Sequence, residues 1–132
     1  MALSTTTQNR IVWAVRIVLA LAFAAAGSAK LSGAAQMVEV FSKIGVGQWF
    51  RYVTGSVEVL GVLLLLVPAT GLLGALLLGG TMVGAVLTHL FVIGGTAIPA
   101  VVLGLLCAFV VWRLRPTADT PILDKLIYGA AR

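Results

Sequence analysis

The sequence predicts an all-α integral membrane protein: a four-helix bundle with a short amphipathic interfacial helix between spans one and two. The 132 residues are 61% hydrophobic and only 10% charged, and their mean hydropathy is +1.12. A soluble domain has roughly a quarter charged residues, so this chain could not cover a globule with polar surface. The apolar residues also fall into four runs separated by turn residues. We therefore expect a membrane domain over residues 1–115 and a polar tail over 116–132.

The four apolar runs place the membrane spans at about 11–29, 52–67, 72–93 and 99–114. A helix needs about 20 residues to cross a bilayer, so spans two and four are short and should extend into their flanks. Pro68 and Gly71 predict a tight turn after span two. Residues 94–99 separate spans three and four, and Pro99 suits the first turn of the last helix. These short connections predict that spans two to four are antiparallel neighbours.

The long connection between spans one and two, residues 31–51, has a pattern of its own. Its apolar residues recur at helical spacing: Ala34, Met37, Val38, Phe41 and Ile44. Glu39 and Lys43 lie four residues apart on the other side. This amphipathic pattern predicts a short helix in the membrane interface. Trp49 and Tyr52, which follow it, are typical of the aromatic belt at that interface.

The basic residues predict the orientation and the partners. The side with both termini would have five Lys and Arg residues: Arg10, Arg113, Arg115, Lys125 and Arg132. The other side would have three: Lys30, Lys43 and Arg51. The positive-inside rule then predicts a multi-pass protein of the plasma membrane with both termini in the cytoplasm. Because the basic residues are scattered over span ends, the expected partner is the lipid bilayer and not nucleic acid.

Four ionisable residues lie within the spans or at their ends: Arg16, Lys30, Glu58 and His89. Each costs about 2.5–3.5 kcal/mol at the centre of a bilayer, so such side chains face inward and find partners. Glu58 and His89 lie about 9 Å and 7 Å below the same side, where Lys30 ends span one. One interpretation is a polar pocket for a small or amphiphilic ligand, with proton exchange through His89 and Glu58. The other is that Glu58 pairs with Arg16 or Lys30 and only holds the bundle together.

Metal and thiol chemistry are not expected. One histidine, one intramembrane glutamate and the single Cys107 do not form a recognised ligand spacing. A lone cysteine also has no partner for a disulfide. In addition, we find no phosphate-binding loop, nucleophile elbow or haem-attachment motif. We therefore predict no metal site and no resident cofactor.

Span three is rich in glycine, with Gly74, Gly79, Gly80 and Gly84. Gly80 and Gly84 form a GxxxG pair, which lets two helices approach closely. Packing against another helix of the same chain is the first expectation for this pair. A homo-oligomer formed through Gly80 and Gly84 is the alternative.

Three segments together resemble the DoxX-like family. They are Arg16 with residues 23–31 (FAAAGSAKL), residues 55–61 (GSVEVLG), and Thr88 with His89 at the end of span three. The resemblance covers nearly the whole chain and implies a four-helix membrane bundle. The wider family is associated with thiosulfate:quinone oxidoreductase subunits, redox-stress membrane complexes and methylamine-utilisation proteins, and distant relatives act as cargo receptors or receptor chaperones. This chain lacks the cysteines expected of a thiol relay.

The resemblance, together with the intramembrane polar residues, implies an accessory subunit of a redox or quinone-linked membrane system. Glu58, His89, Arg16 and Lys30 would line a pocket for a quinone or lipid-like ligand, and a membrane or soluble oxidoreductase would be the partner. One alternative is a scaffold or assembly factor without chemistry, which docks through the glycine-rich face of span three. Another is an oligomeric binding or transport protein for a small hydrophobic or ionic molecule. We do not expect a stand-alone enzyme.

Overall fold

The computed structural model describes residues 4–116, so nearly all of the predicted tail at 116–132 lies outside the described residues. Within this part the chain is helical and has no strands, which confirms the all-α fold class. The helices are α1 (Thr5–Ser32), α2 (Ala35–Ile44), α3 (Trp49–Leu66), α4 (Gly71–Thr88) and α5 (Ile98–Leu114). A 3-10 turn, Pro68–Thr70, precedes α4, and a π-helical turn, His89–Ile93, continues it.

Three of these apolar helices are long enough to cross a membrane: Thr5–Ser32, Trp49–Leu66 and the continuous stretch Pro68–Ile93. The fourth apolar helix, α5, has 17 residues and is shorter. As expected for a short span, α3 begins before residue 52 and includes the aromatic residues that precede it. The first helix extends beyond the predicted 11–29 at both ends and reaches 28 residues.

The ends of α1 are fixed by local hydrogen bonds. The Ser4 side chain accepts a hydrogen bond from the Thr7 backbone N–H at 3.2 Å, as a helix N-cap does. At the other end Gly33 adopts a left-handed conformation, with φ of 75°, and its N–H donates to the Ala29 carbonyl. Glycine is favoured there because it has no Cβ to clash in that conformation. The chain therefore turns sharply into α2 two residues later.

The helices pack in the order α1, α3, α4, α5, with a further contact between α1 and α5. The centre of the bundle is formed by fully buried apolar residues from all four helices: Leu19, Phe23, Leu65, Leu78, Cys107 and Val110. The outer surface is also apolar, and the side chain of Phe91 is 79% exposed. Such a surface would be an unusually large exposed patch for a soluble monomer, but lipid does not penalise it.

The glycines of α4 do not all have the role that the sequence indicated. A Cβ at Gly74 would lie 2.5 Å from the Leu65 backbone nitrogen, so this position must be glycine for α3 and α4 to pack. A Cβ at Gly80 or Gly84 would have no neighbour within 4 Å among residues 4–116. The expectation that the GxxxG pair packs within the chain is therefore wrong. Both glycines are exposed, so neither is covered by α3 or α5.

Candidate functional site

The closest approach of α1 and α3 occurs at two glycines. A Cβ at Gly27 would lie 3.1 Å from the Gly55 carbonyl oxygen, and a Cβ at Gly55 would lie 3.0 Å from the Lys30 Cβ. Neither helix has a side chain at the crossing, so the backbones can come together. Lys30 and Glu58 each follow one of these glycines by three residues, which is nearly one helical turn. The crossing therefore brings this basic and this acidic side chain face to face.

Lys30 and Glu58 form an ion pair at this crossing. The Lys30 Nζ donates to both carboxylate oxygens of Glu58 at 3.1 Å. The Glu58 side chain is only 2% exposed, whereas that of Lys30 is 14% exposed. Within residues 4–116, Glu58 has no hydrogen-bond partner besides Lys30. The carboxylate is thus compensated by one ammonium group, which itself lies near the edge of the bundle.

Arg51 extends this contact toward the end of α1. It is 5% exposed, and its guanidinium donates to the Lys30 carbonyl oxygen and, through Nε, to Gln48 Oε1 at 2.8 Å. It also lies over the Tyr52 ring, 4.4 Å from the centroid. The last carbonyls of a helix have no partner within the helix and carry partial negative charge, so a cation there is favourable. Arg51 therefore joins the start of α3 to the end of α1.

Sequence reasoning missed this role of Arg51, because it counted the residue only as a basic charge on one side of the membrane. The spacing of residues in α3 does indicate this inward position of Arg51. The residues of α3 at spacings of four and three form one face of the helix, and all five are buried: Arg51, Gly55, Glu58, Val62 and Leu65. An arginine on the same face as the core residues is expected to point inward.

Arg16 has the corresponding position at the opposite end of the interface. Its Nε and Nη2 donate to the Leu65 carbonyl at 2.9 and 2.6 Å, and Nη2 also donates to the Val67 carbonyl at 3.1 Å. The guanidinium stacks on Trp13 at 3.9 Å and leaves no space for a Cβ at Gly71. Because α3 ends at Leu66, the Leu65 carbonyl lacks a helical partner, and Arg16 satisfies it. The Val67 carbonyl also accepts a hydrogen bond from the Thr70 N–H of the 3-10 turn at 3.2 Å.

Comparison with known proteins identifies the family. A family model described as the DoxX-like family matches residues 14–111. The chain belongs to the DoxX-like family. Membership and the long apolar helices together make this DoxX-like chain a helical membrane protein. No curated protein and no solved structure matches it.

Of the four residues that sequence analysis grouped in this DoxX-like chain, the structure brings two into contact. Lys30 meets Glu58, whereas Arg16 binds the Leu65 carbonyl, seven residues or about 10 Å further along α3. His89 lies in the π-helical turn, where its Nδ1 forms a hydrogen bond with the Gly94 carbonyl oxygen at 2.9 Å. The predicted depths of His89 and Glu58 are similar, but the two side chains do not form a contact. The position of a residue around its helix axis decides which neighbour its side chain meets.

The described residues, 4–116, contain no group of three or more His, Cys, Asp or Glu side chains that could hold a metal ion. Cys107 is fully buried among apolar side chains. The arrangement between α1 and α3 therefore offers two bound cations at helix ends and one closed ion pair between them. Its clearest chemical capacity is to hold two apolar helices together in fixed register.

Proposed function

We propose that this DoxX-like protein crosses the plasma membrane four times, with both termini in the cytoplasm and α2 in the opposite interface. The four apolar helices run antiparallel, and α5 at about 25 Å needs only a short flanking segment to cross about 30 Å of hydrocarbon. The α2 helix has one buried residue, Phe41, and on the other side an exposed pair, Glu39 and Lys43, at 3.4 Å. Those properties suit an interfacial helix.

Single cysteines test this topology. In a Cys107→Ala background, cysteine replaces either Thr6 at the start of α1 or Gln36 on α2. Both are exposed, and their side chains form no hydrogen bonds within residues 4–116. A membrane-impermeant maleimide should label Gln36→Cys in intact cells and Thr6→Cys only after permeabilisation. The reverse pattern would contradict the orientation. Labelling of both in intact cells would contradict the single span, α1, that the proposal places between the two positions.

We further propose that the protein is a non-catalytic accessory subunit of a redox or quinone-linked membrane system. One observation supports the non-catalytic part: Lys30 holds both Glu58 oxygens, so the one buried acid within residues 4–116 is engaged within the chain. Arg16 is likewise engaged by backbone carbonyls. These groups serve the bundle itself, and a membrane or soluble oxidoreductase would supply the chemistry. The redox link rests on the family resemblance.

The geometry gives less support to binding of a quinone or lipid-like ligand at Glu58. Such a ligand would have to displace Lys30 from a carboxylate that is 2% exposed. Displacement would leave a buried charge without its partner, which costs about 3–5 kcal/mol. The geometry therefore favours a structural role over a binding pocket: the Lys30–Glu58 ion pair, here called the clasp, holds α1 against α3.

The clasp and the pocket give different results in a paired substitution. The tagged full-length chain is purified from its native membranes, and the oxidoreductase that copurifies is measured for Glu58→Leu, Lys30→Met and the double variant. If the pair is a clasp, each single variant lowers the amount of chain and partner, and the double variant restores both. If Glu58 has a chemical role, the double variant restores the chain but not the partner's activity. Absence of any oxidoreductase with the wild-type chain would overturn the redox-linked role.

A second candidate is a scaffold that assembles through α4. The supporting observation is that Gly80 and Gly84 face outward with no neighbour within 4 Å. The outward GxxxG pair could then receive a helix of a second copy. The oligomeric state of the Gly84→Leu variant in mild detergent tests this role, because leucine there would block close approach of another helix without a clash inside the chain. An unchanged oligomer would exclude an interface between copies at this GxxxG pair.

A further inference from the structure

A groove runs between α4 and α5, away from the charged interface of α1 and α3. Its volume is about 380 Å³, which lies at the lower end of the range for small-molecule sites. Its walls are formed by small residues from both helices, namely Gly79, Gly80, Gly104, Cys107 and Ala108. Because these residues have short side chains, α4 and α5 can touch at the bottom of the groove and still leave space above.

The groove has the length of one leaflet. It extends along α5 from Gly104 to Arg115, which is eleven residues or about 16 Å. Half of a hydrocarbon core of about 30 Å is nearly the same length. Gly104 lies near the middle of α5, and Arg115 directly follows its last residue. The groove therefore begins near the bilayer centre and ends at the interface.

The two ends of the groove differ in chemistry. The inner end is apolar, whereas the outer end has Trp112 and Arg115. Arg115 is exposed, lies 5.8 Å from the centroid of the Trp112 ring, and makes no hydrogen bond or ion pair within residues 4–116. Tryptophan is typical of the headgroup level. A guanidinium can donate two parallel hydrogen bonds to a phosphate.

We propose that this groove binds one anionic glycerophospholipid, with an acyl chain between α4 and α5 and the phosphate at Arg115. In the proposed orientation the lipid belongs to the cytoplasmic leaflet, but its binding does not depend on that orientation or on the redox-linked role. Charge favours a lipid over a second copy, because the chain has a net charge of +5 and a copy would bring the same basic ends. An anionic headgroup brings the opposite charge.

Native mass spectrometry of the full-length protein tests the proposal. The detergent-solubilised chain is incubated with equal amounts of dioleoyl-phosphatidylglycerol and dioleoyl-phosphatidylcholine, and the lipid that stays bound is counted. We expect one bound lipid per chain and a clear preference for phosphatidylglycerol. Arg115→Gln should lower that preference about fivefold, the size expected for one basic residue at an anionic lipid surface, while Arg115→Lys should keep most of it.

Two glycines of α4 provide a matched pair of variants for the acyl chain. Gly80 lines the groove and Gly84 does not, and a Cβ at either would meet nothing within 4 Å. Gly80→Leu should therefore fill the groove and remove bound lipid of both headgroups, whereas Gly84→Leu should keep it. Thermal melting by circular dichroism checks that both variants fold.

Three outcomes would overturn the proposal. Equal retention of the two lipids with and without Arg115 would mean that the headgroup is not recognised. Retention of lipid by Gly80→Leu would place it elsewhere on the chain. Loss of lipid in both glycine variants, together with loss of a dimer, would mean that this face of α4 is a seam between copies and that lipid is held by the dimer.

Discussion

The α1–α3 pair and the α4–α5 pair differ in what lies between the helices. Between α1 and α3, two glycines bring the backbones together, and Arg16, Arg51 and the Lys30–Glu58 pair bind across the seam. Between α4 and α5, small residues leave an apolar groove of about 380 Å³ with its charge only at the end. Lipid tails are as apolar as the helices, so apolar contact alone gives little drive for two helices to associate in a bilayer. Buried hydrogen-bonded charges can therefore fix one seam while the other stays partly open.

The largest expected effect is loss of the ion pair. Lys30→Met leaves the Glu58 carboxylate, which is 2% exposed, without its partner at the crossing, and the free energy of unfolding should fall by about 3–5 kcal/mol. Unfolding in mixed micelles with increasing dodecyl sulfate, followed by circular dichroism, measures this change. The double variant with Glu58→Leu should recover most of the loss. If it is as unstable as Lys30→Met, the two side chains do not act as a pair.

Substitution of a glycine tests whether α1 and α3 need to be close. Gly55→Ala adds a methyl group 3.0 Å from the Lys30 Cβ and 3.1 Å from the Gly27 carbonyl oxygen, and such overpacking costs about 1–3 kcal/mol. Gly84→Ala is the matched control in an open position, where alanine should stabilise the helix by up to about 1 kcal/mol. The same unfolding measurement applies. Equal changes in the two variants would mean that the crossing is looser than its geometry indicates.

The smallest expected effect concerns His89. Because its ring bonds only to the Gly94 carbonyl among the described residues, His89→Ala should act independently of Glu58→Leu. The changes in unfolding free energy of the two single variants should add to that of the double variant within about 0.5 kcal/mol. A coupling above about 1 kcal/mol would mean that His89 and Glu58 interact, as the predicted pocket requires.

Sequence patterns predicted the helices, and for Glu58 they indicated two candidate partners, Arg16 and Lys30. Hydropathy and turn residues predicted the apolar helices and the connections between them, because both depend on local sequence. The sequence allows either Arg16 or Lys30 as the partner of Glu58, and the antiparallel register of α1 and α3 selects Lys30. That register depends on the contact of Gly27 with Gly55, which involves residues far apart in the chain.

The remaining differences have one physical origin. Counts of residues along a span give depth, but the direction of a side chain around the helix axis decides its contacts. That direction separates His89 from Glu58 and turns Gly80 outward. It also makes Arg51 an inward residue of α3, although a count of loop charges treats it as an anchor at the surface.

The position of the Lys30–Glu58 pair has a consequence for biogenesis. During synthesis α1 enters the membrane with two cations, Arg16 and Lys30, while their partners Leu65 and Glu58 have yet to be made. A cation inside the bilayer without a partner is unfavourable. We therefore expect α1 to stay beside the translocation channel until α3 arrives, so that the two helices enter the lipid together as one insertion unit.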